Sequence, residues 1–297
     1  MKKLSIVDHS RAFANNTYVY PVLSRRSQGI SLGINLNINN ACNWRCAYCQ
    51  VDGLIRGKPT TIDLDLLESE LDFMLNQIVY GDFLQTFAPS GMQRFNDIAI
   101  SGNGESTLSK EFLAVVKTIA KLRAKYNLNN NLQEKRSNHN TNYSFSSELV
   151  KTVLITNGSE IEKPEVLLAL DILALNNGEV WFKVDRATPE GIALVNQVAL
   201  SLDGIKHRLI LSSQHCKTYI QTCMFQNHGV LPSQFEVDEY IKFVLECKSY
   251  IVGVLLYSVA RNPALPEGAN ISQVSDEFLQ NIADSLNSVG VTVQYYI

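Results

Sequence analysis

No stretch of this chain is apolar for long enough to cross a bilayer. The longest near-continuous apolar run, 251–260, is about half of what a membrane span requires. Near the start, two lysines precede only a few apolar residues before Asp8 and His9, too few for a signal-peptide core. There is also no excess of positive charge. The 26 Lys and Arg against 29 Asp and Glu leave a net −3, so the broad basic footprint of a nucleic-acid binder is missing, although a local basic patch stays open. Cysteine is scarce, with six in 297 residues, which excludes a disulfide-dense scaffold. Only 8 prolines and 16 glycines exclude a collagen-like repeat. What remains, with 45% hydrophobic and 19% charged residues, is a globular chain of one or two domains. These absences predict a cytoplasmic protein in a reducing compartment, with no membrane partner.

Hydrophobic periodicity supplies the architecture. Residues 30–38 alternate strictly between apolar and small polar side chains, which predicts a strand. A helix follows at 64–80, with Thr61 as its cap and Gly81 as its end. The rhythm continues with a strand at 97–101 and a helix at 110–125, then a strand at 153–156 and a helix at 164–175 with proline in its first turn. Next come a strand at 180–184, a helix at 191–200, a segment at 205–213 that fits either type, and a strand at 218–225. A helix at 236–248, a strand at 251–259, a helix at 275–289 and a strand at 291–295 complete the series. Residues 126–147 break it. They are rich in Asn and Ser and poor in aliphatic side chains, which predicts a loop insertion within one domain. Alternation of this kind means a parallel sheet covered by helices, with chemistry at the carboxyl ends of the strands.

The loop after the first of these strands holds Cys42, Cys46 and Cys49 at spacing C-x3-C-x2-C. Three thiolates on so short a loop can converge on one iron–sulfur cluster. A fourth local cysteine is lacking, so one iron would keep an open position for substrate or cofactor, as catalytic zinc does. The competing readings are a zinc site completed by a remote ligand such as His215 or Cys216, and three ordinary buried thiols. Cys216, Cys223 and Cys247 form no second set, so no auxiliary cluster is expected.

This motif, with aromatic Tyr48 just before its last cysteine, resembles the signature of the radical S-adenosylmethionine superfamily. The resemblance implies a partial (β/α)6 barrel of parallel strands with outer helices, spanning 1–297 as one domain. It implies a 4Fe-4S cluster on Cys42, Cys46 and Cys49, with S-adenosyl-L-methionine chelated to the open iron. Reductive cleavage would then give methionine and a 5′-deoxyadenosyl radical that abstracts hydrogen from a substrate. Gly102-Asn103-Gly104-Glu105 is similar to the superfamily's Gly-Gly-Glu element, which receives the methionine amino group; it departs at Asn103 and at Ser106, where proline often stands. By the same resemblance, Thr156 and Asn157, and Lys183 and Asp185, end the strands that address the ribose hydroxyls and the methionine carboxylate. Asn and Asp can bond hydroxyls, and Lys can pair a carboxylate. Tyr48 would pack on the adenine or shield the cluster, and the strand at 252–259 would flank the adenine.

The lead-in at 18–38 is similar to the group that includes wyosine-synthesis and pyruvate formate-lyase activating enzymes. That leaves the substrate open between small molecule, RNA and protein. Arg25, Arg26, Arg56 and Lys58 flank the cysteine loop. They are a solvated face, an anionic substrate site, or a docking patch for an electron donor such as a flavodoxin or ferredoxin. Gln221 and Thr222 are polar residues in a buried-looking strand, either substrate contacts or a satisfied core pair. A non-catalytic metal-binding or electron-carrier protein is the alternative of a different class.

Overall fold

Period-two alternation sends neighbouring side chains of a strand to opposite faces, and in this chain the two faces differ in chemistry. The computed structural model describes residues 4–5, 13–24, 28–129 and 150–297. An antiparallel hairpin of β1 (Val19–Ser24) and β2 (Gly29–Ile34) comes first. Two short parallel pieces, β3 (Ala41–Cys42) and β4 (Ile55–Arg56), bracket the cysteine loop. Then follow α1 (Leu64–Val79), α2 (Phe83–Phe87), β5 (Phe95–Ile100), α3 (Phe112–Lys125), β6 (Lys151–Thr156), α4 (Pro164–Leu175) and β7 (Gly178–Lys183). The chain continues through α5 (Pro189–Asn196), α6 (Leu202–His215), β8 (Lys217–Asn227), α7 (Gln234–Cys247), β9 (Gly253–Ser258), β10 (Ile271–Gln273), α8 (Asp276–Ser288) and β11 (Val293–Tyr296).

The main sheet runs β1-β2-β5-β6-β7-β8-β9-β11, with β10 added against β8. From β2 to β11 every neighbouring pair is parallel. The sheet curls into a half-barrel surrounded by helices, as the strand–helix alternation predicts. Ile30, Leu32 and Ile34 on β2, Ile98 and Ile100 on β5, and Val180 and Phe182 on β7 are buried in one core with Leu67, Leu71 and Met74 of α1 and Phe112 of α3. Each such side chain contributes about 1.5–3 kcal/mol by leaving water. The alternate positions, Ser31, Asp97, Lys183 and Gln221, line a cavity on the concave side. A closed (β/α)8 barrel fills its interior with branched apolar layers. This interior instead leaves an open cavity lined by polar and apolar side chains together, the usual make-up of a ligand pocket.

Several local expectations change. The lead-in contains a strand, β1, whose Pro21 is tolerated because the strand lies at the sheet edge. The cap of α1 is Asp63, which accepts from the Leu66 N–H at 3.0 Å, and not Thr61. The helix expected over 191–200 stops at Asn196, where Gln197 turns left-handed at φ 52°. Ser201 then caps α6, so the ambiguous 205–213 is helical. Of the stretch predicted as an insertion, 130–147 lies outside the described residues, as do Arg25 and Arg26. Its first residues belong to the core, because Tyr126 and Leu128 are buried. Arg123, fully buried, donates to the carbonyls of Leu128 and Val150 at 3.3 and 2.7 Å and to Asn129 Oδ1 at 2.8 Å.

Candidate active site at the mouth of the half-barrel

The cysteine loop leaves the carboxyl end of β2 and is held from both sides. Asn35 Oδ1 accepts from the N–H groups of Asn37 and Asn103, both at 3.0 Å. Asn37 Nδ2 donates to the carbonyls of Ala41 and Glu105 at 2.8 and 3.2 Å. These two buried asparagines fasten the loop to the glycine element after β5. On the far side, the Arg45 and Ala47 N–H groups donate to the carbonyls of Asn196 and Val195 at 3.2 and 2.8 Å. The Cys49 carbonyl accepts from the Ala264 N–H at 2.7 Å. A turn closes inside the motif, from the Cys49 N–H to the Cys46 carbonyl at 2.9 Å.

Cys42, Cys46 and Cys49 are partly buried free thiols on the wall of one cavity of about 470 Å³. Burial pushes the Cys42 thiol up to about 11 and the Cys46 thiol up to about 12. Weak donors already face them: the Trp44 N–H lies 3.4 Å from Cys42 Sγ, and Asn196 Nδ2 lies 3.4 Å from Cys46 Sγ. Donors of this kind suit sulfur that carries negative charge when metal replaces its proton.

Gly102, Asn103, Gly104 and Glu105 line the same cavity. The glycines are required by the protein's own chain. A Cβ on Gly102 would stand 2.2 Å from Asn35 Oδ1, and one on Gly104 would stand 2.0 Å from the Ala41 carbonyl oxygen. Asn103 Oδ1 is buried without a partner, an acceptor on the cavity side of the element. Glu105 is buried, and burial raises its carboxyl above the usual range. It accepts from Thr107 N and Oγ1 at 3.1 and 2.6 Å, Thr156 Oγ1 at 2.8 Å and Asn157 N at 2.6 Å. Thr156 and Asn157 thus join Glu105 at the end of β6, and Asn157 Nδ2 reaches Asn43 Oδ1 at 2.8 Å.

Lys183, Tyr48 and Asp185 form the third part. Lys183 Nζ is 4.0 Å from Asp185 Oδ1, 3.5 Å from the Tyr257 hydroxyl and 4.8 Å from the Tyr48 ring centre. Burial works against its charge, but Asp185 and the neighbouring hydroxyl and thiols outweigh that and hold the ammonium well above its ordinary pKa. Asp185, 1% exposed, sits behind Tyr48. Its Oδ2 accepts from the Tyr48 hydroxyl at 2.6 Å and Asn196 Nδ2 at 2.8 Å, and its Oδ1 from the Cys223 N–H at 2.9 Å. Burial and the Asp185 charge raise the Tyr48 phenol well above its usual range.

Among the described residues no three His, Cys, Asp or Glu side chains meet closely enough to hold one metal ion. A four-iron cluster makes a different demand, because each thiolate binds its own iron. The donor set, three thiols on one wall beside N–H donors, suits that group. The remote zinc ligands considered above do not join it. His215 Nδ1 bonds Asp171 Oδ1 at 2.8 Å, and Cys216 is buried before the amino end of β8, away from the loop.

No protein-family model matches the chain, and no curated protein does. Solved structures match over most of it. SuiB of Streptococcus suis bound to its precursor peptide SuiA superposes with a TM-score of 0.56 at 12% identity, covering 89% of this chain and 47% of that one. SuiB bound to S-adenosylmethionine gives 0.55 at 12% identity, with 89% and 49% covered. A radical SAM methyltransferase from Sphaerobacter thermophilus gives 0.54 at 14% identity, with 94% and 68% covered. The chain has the radical S-adenosylmethionine fold. It spans about half the length of SuiB.

Within the radical S-adenosylmethionine fold, the motif-based reading does not reach Asn35, Asn37, Asp97 or Asn196. The available signal for the first three is a polar residue at an inward position of an otherwise apolar strand or its extension. Asn196 carries no such signal, since it ends a helix. Gln221 and Cys223 line the cavity. Thr222 points away, donating to the Val184 carbonyl and sharing a hydrogen bond with the Tyr240 hydroxyl, both at 2.7 Å. Cys247 is buried in the core. Arg56 reaches the Asn43 carbonyl at 3.2 Å and the Gln197 carbonyl, bracing the cysteine loop from outside.

Proposed function

We propose that this chain is a radical S-adenosylmethionine enzyme, with residues 1–297 as one domain. Cys42, Cys46 and Cys49 hold a 4Fe-4S cluster, and S-adenosylmethionine occupies the cavity beside them. The observation that carries this reading is the convergence of all three thiols and the Gly102–Glu105 element on one cavity at the carboxyl ends of parallel strands. The fold of SuiB, one of whose structures contains S-adenosylmethionine, supports it.

When bound and reduced, such a cluster would supply the electron needed to split the sulfonium of S-adenosylmethionine and so give access to hydrogen-abstraction chemistry. The rest falls to the chain. The carbonyls of Gly102, Asn103 and Gly104 receive the methionine amino group, and Glu105, whose oxygens already take four hydrogen bonds, supplies the carboxyl that backs them. Lys183, kept charged by Asp185, pairs with the methionine carboxylate. Thr156 and Asn157 bond the ribose hydroxyls. Asp185 has its oxygens committed to Tyr48, Asn196 and Cys223, so its part is to position Tyr48, whose ring covers the cluster loop. Trp44, Tyr48, Val51 and Val259 make the cavity wall apolar beside the thiols, which excludes water from a reactive radical.

A flavodoxin or ferredoxin is the proposed electron donor, and the cytoplasm the proposed location, because six free thiols persist in a reducing compartment. No helix among the described residues is long and apolar enough to cross a membrane. The precursor peptide on SuiB favours a peptide over RNA or a free metabolite among macromolecular and small substrates, for a chain that shares only about half of that protein.

The test is anaerobic reconstitution with iron and sulfide, reduction with dithionite and addition of S-adenosylmethionine. Appearance of the cluster absorbance together with 5′-deoxyadenosine supports the reading. Copurifying zinc with neither signal makes the protein a non-catalytic metal carrier.

A further inference from the structure

Gln221 lies in the middle of β8 and lines the cavity. It is 3% exposed. Among the described residues, no hydrogen bond uses its carboxamide, neither the Nε2 donor nor the Oε1 acceptor. Its neighbours are differently placed. Thr222, on the opposite face of the strand, has its hydroxyl engaged twice. Lys183, in register with Gln221 on β7, is directed to Asp185 and the Tyr257 hydroxyl. Elsewhere on the wall, Ser31 donates to Asp97, and the Trp181 indole N–H donates to Glu179 Oε2 at 3.3 Å.

We propose that Gln221 holds the substrate by pairing with the backbone N–H and C=O of one residue in an extended peptide. This deepens the enzyme reading above and rests on it, since the substrate is what shares the cavity with the cofactor. A buried carboxamide that bonds nothing in the protein presents a donor and an acceptor for a ligand to match. A carboxylate would match only the donor, and an ammonium group only the acceptor. One residue of an extended peptide turns its own N–H and C=O to the same side, as the residues of a hydrogen-bonded antiparallel pair do. One carboxamide can therefore take both. Trp181 on β7 and Tyr257 on β9 line the same cavity with rings, so Gln221 acts as an orienting polar group in a partly apolar wall. A polynucleotide also carries paired donors and acceptors on its bases, but 26 basic against 29 acidic residues give this chain no surplus of positive charge to hold its phosphates.

Ligand-observed NMR titration of the whole reconstituted chain, with S-adenosylmethionine present, tests this with two probes. They are acetyl-alanine N-methylamide and O-acetyl-lactic acid N-methylamide, in which an ester oxygen replaces the alanine N–H. The amide should bind about fivefold tighter than the ester, the difference expected for one neutral hydrogen bond. Gln221→Met, which removes the carboxamide at similar length, should bring the two probes to within about twofold. Gln214→Met, at an exposed position of α6, should leave the preference intact. Affinity for S-adenosylmethionine should stay within about twofold in both variants. Thermal melts report folding, and the ranking of probes by the unaltered protein needs no variant. Equal affinity for amide and ester, binding of neither, or a preference that survives Gln221→Met overturns the proposal. So does a tenfold loss of S-adenosylmethionine affinity in Gln221→Met, which would assign the carboxamide to the cofactor. Uridine binding more tightly than the amide, and losing that affinity in Gln221→Met, overturns the peptide assignment in favour of a nucleobase. Release of 5′-deoxyadenosine by the unaltered protein without any amide preference sinks the Gln221 site alone. Gln221-dependent amide preference without 5′-deoxyadenosine sinks the enzyme reading alone.

Discussion

The Tyr48 hydroxyl donates to Asp185 Oδ2 at 2.6 Å, joining the cysteine loop to the end of β7 across 137 positions of sequence. The same oxygen takes a second hydrogen bond from Asn196, which also faces Cys46. Loop, strand end and α5 terminus thus meet at one carboxylate, and this junction ties the cysteine loop to the rim of the cavity.

Tyr48→Phe removes the donor and leaves a buried carboxylate under-satisfied. The expected loss is about 1–3 kcal/mol of stability, read as a lower urea midpoint. Asp185→Asn should cost more, because an amide nitrogen must then face one of three donors.

Replacing any one of Cys42, Cys46 or Cys49 with Ala should remove iron, cluster absorbance and 5′-deoxyadenosine together. Glu105→Gln and Lys183→Met should act differently. Their cluster spectra should persist, while S-adenosylmethionine binding weakens by about tenfold or more. Retention of full cleavage by any single cysteine variant would contradict the ligand assignment.

Burial raises Asp97 from 3.8 to about 6, against the hydrogen bond from Ser31. A carboxyl whose folded pKa lies above its unfolded one favours the protonated protein, so stability falls as pH rises from about 4 to about 6. Asp97→Asn removes that penalty. The variant should be more stable by about 1–3 kcal/mol near neutral pH, with the difference vanishing toward pH 4 in paired denaturation curves.

Burial lowers Arg123 to about 10, yet its guanidinium serves three acceptors around the ends of the 130–149 segment. Arg123→Met should destabilise by about 2–4 kcal/mol, since two buried carbonyls lose their donor. Arg123→Lys should recover little, because an ammonium group cannot reproduce the planar fork. Differential scanning calorimetry distinguishes the two.

The alternation of Ile30, Leu32 and Ile34 with small polar residues makes the sheet legible, because the core-facing side of β2 imposes period two on the sequence. Pro164 likewise marks the start of α4. β1 is hidden because an edge strand tolerates proline and owes its pairing to the hairpin. The break between α5 and α6 depends on the left-handed Gln197, a conformation that no side-chain pattern announces. Within the site, local motifs find the cysteines, Gly102, Gly104 and Glu105. Asn35 and Asn37 show only as polar residues at inward positions on the extension of β2, and Asn196 reaches Cys46 across 150 positions, a contact that leaves no spacing to read. The inward polarity of Asp97 is visible only once the direction of curl tells which face is the lumen.

The backbone partners that seat the cysteine loop come from Val195, Asn196 and Ala264, all in the later part of the chain. During synthesis the three thiols emerge early, and Asn35 and Asn37 hold one side of their loop against the glycine element, yet the other side is not held until α5 and the segment after β9 have been made and packed. Long-range closures of this kind form late in folding. On the proposed reading, the cluster would therefore be loaded late, once both sides of the loop are held.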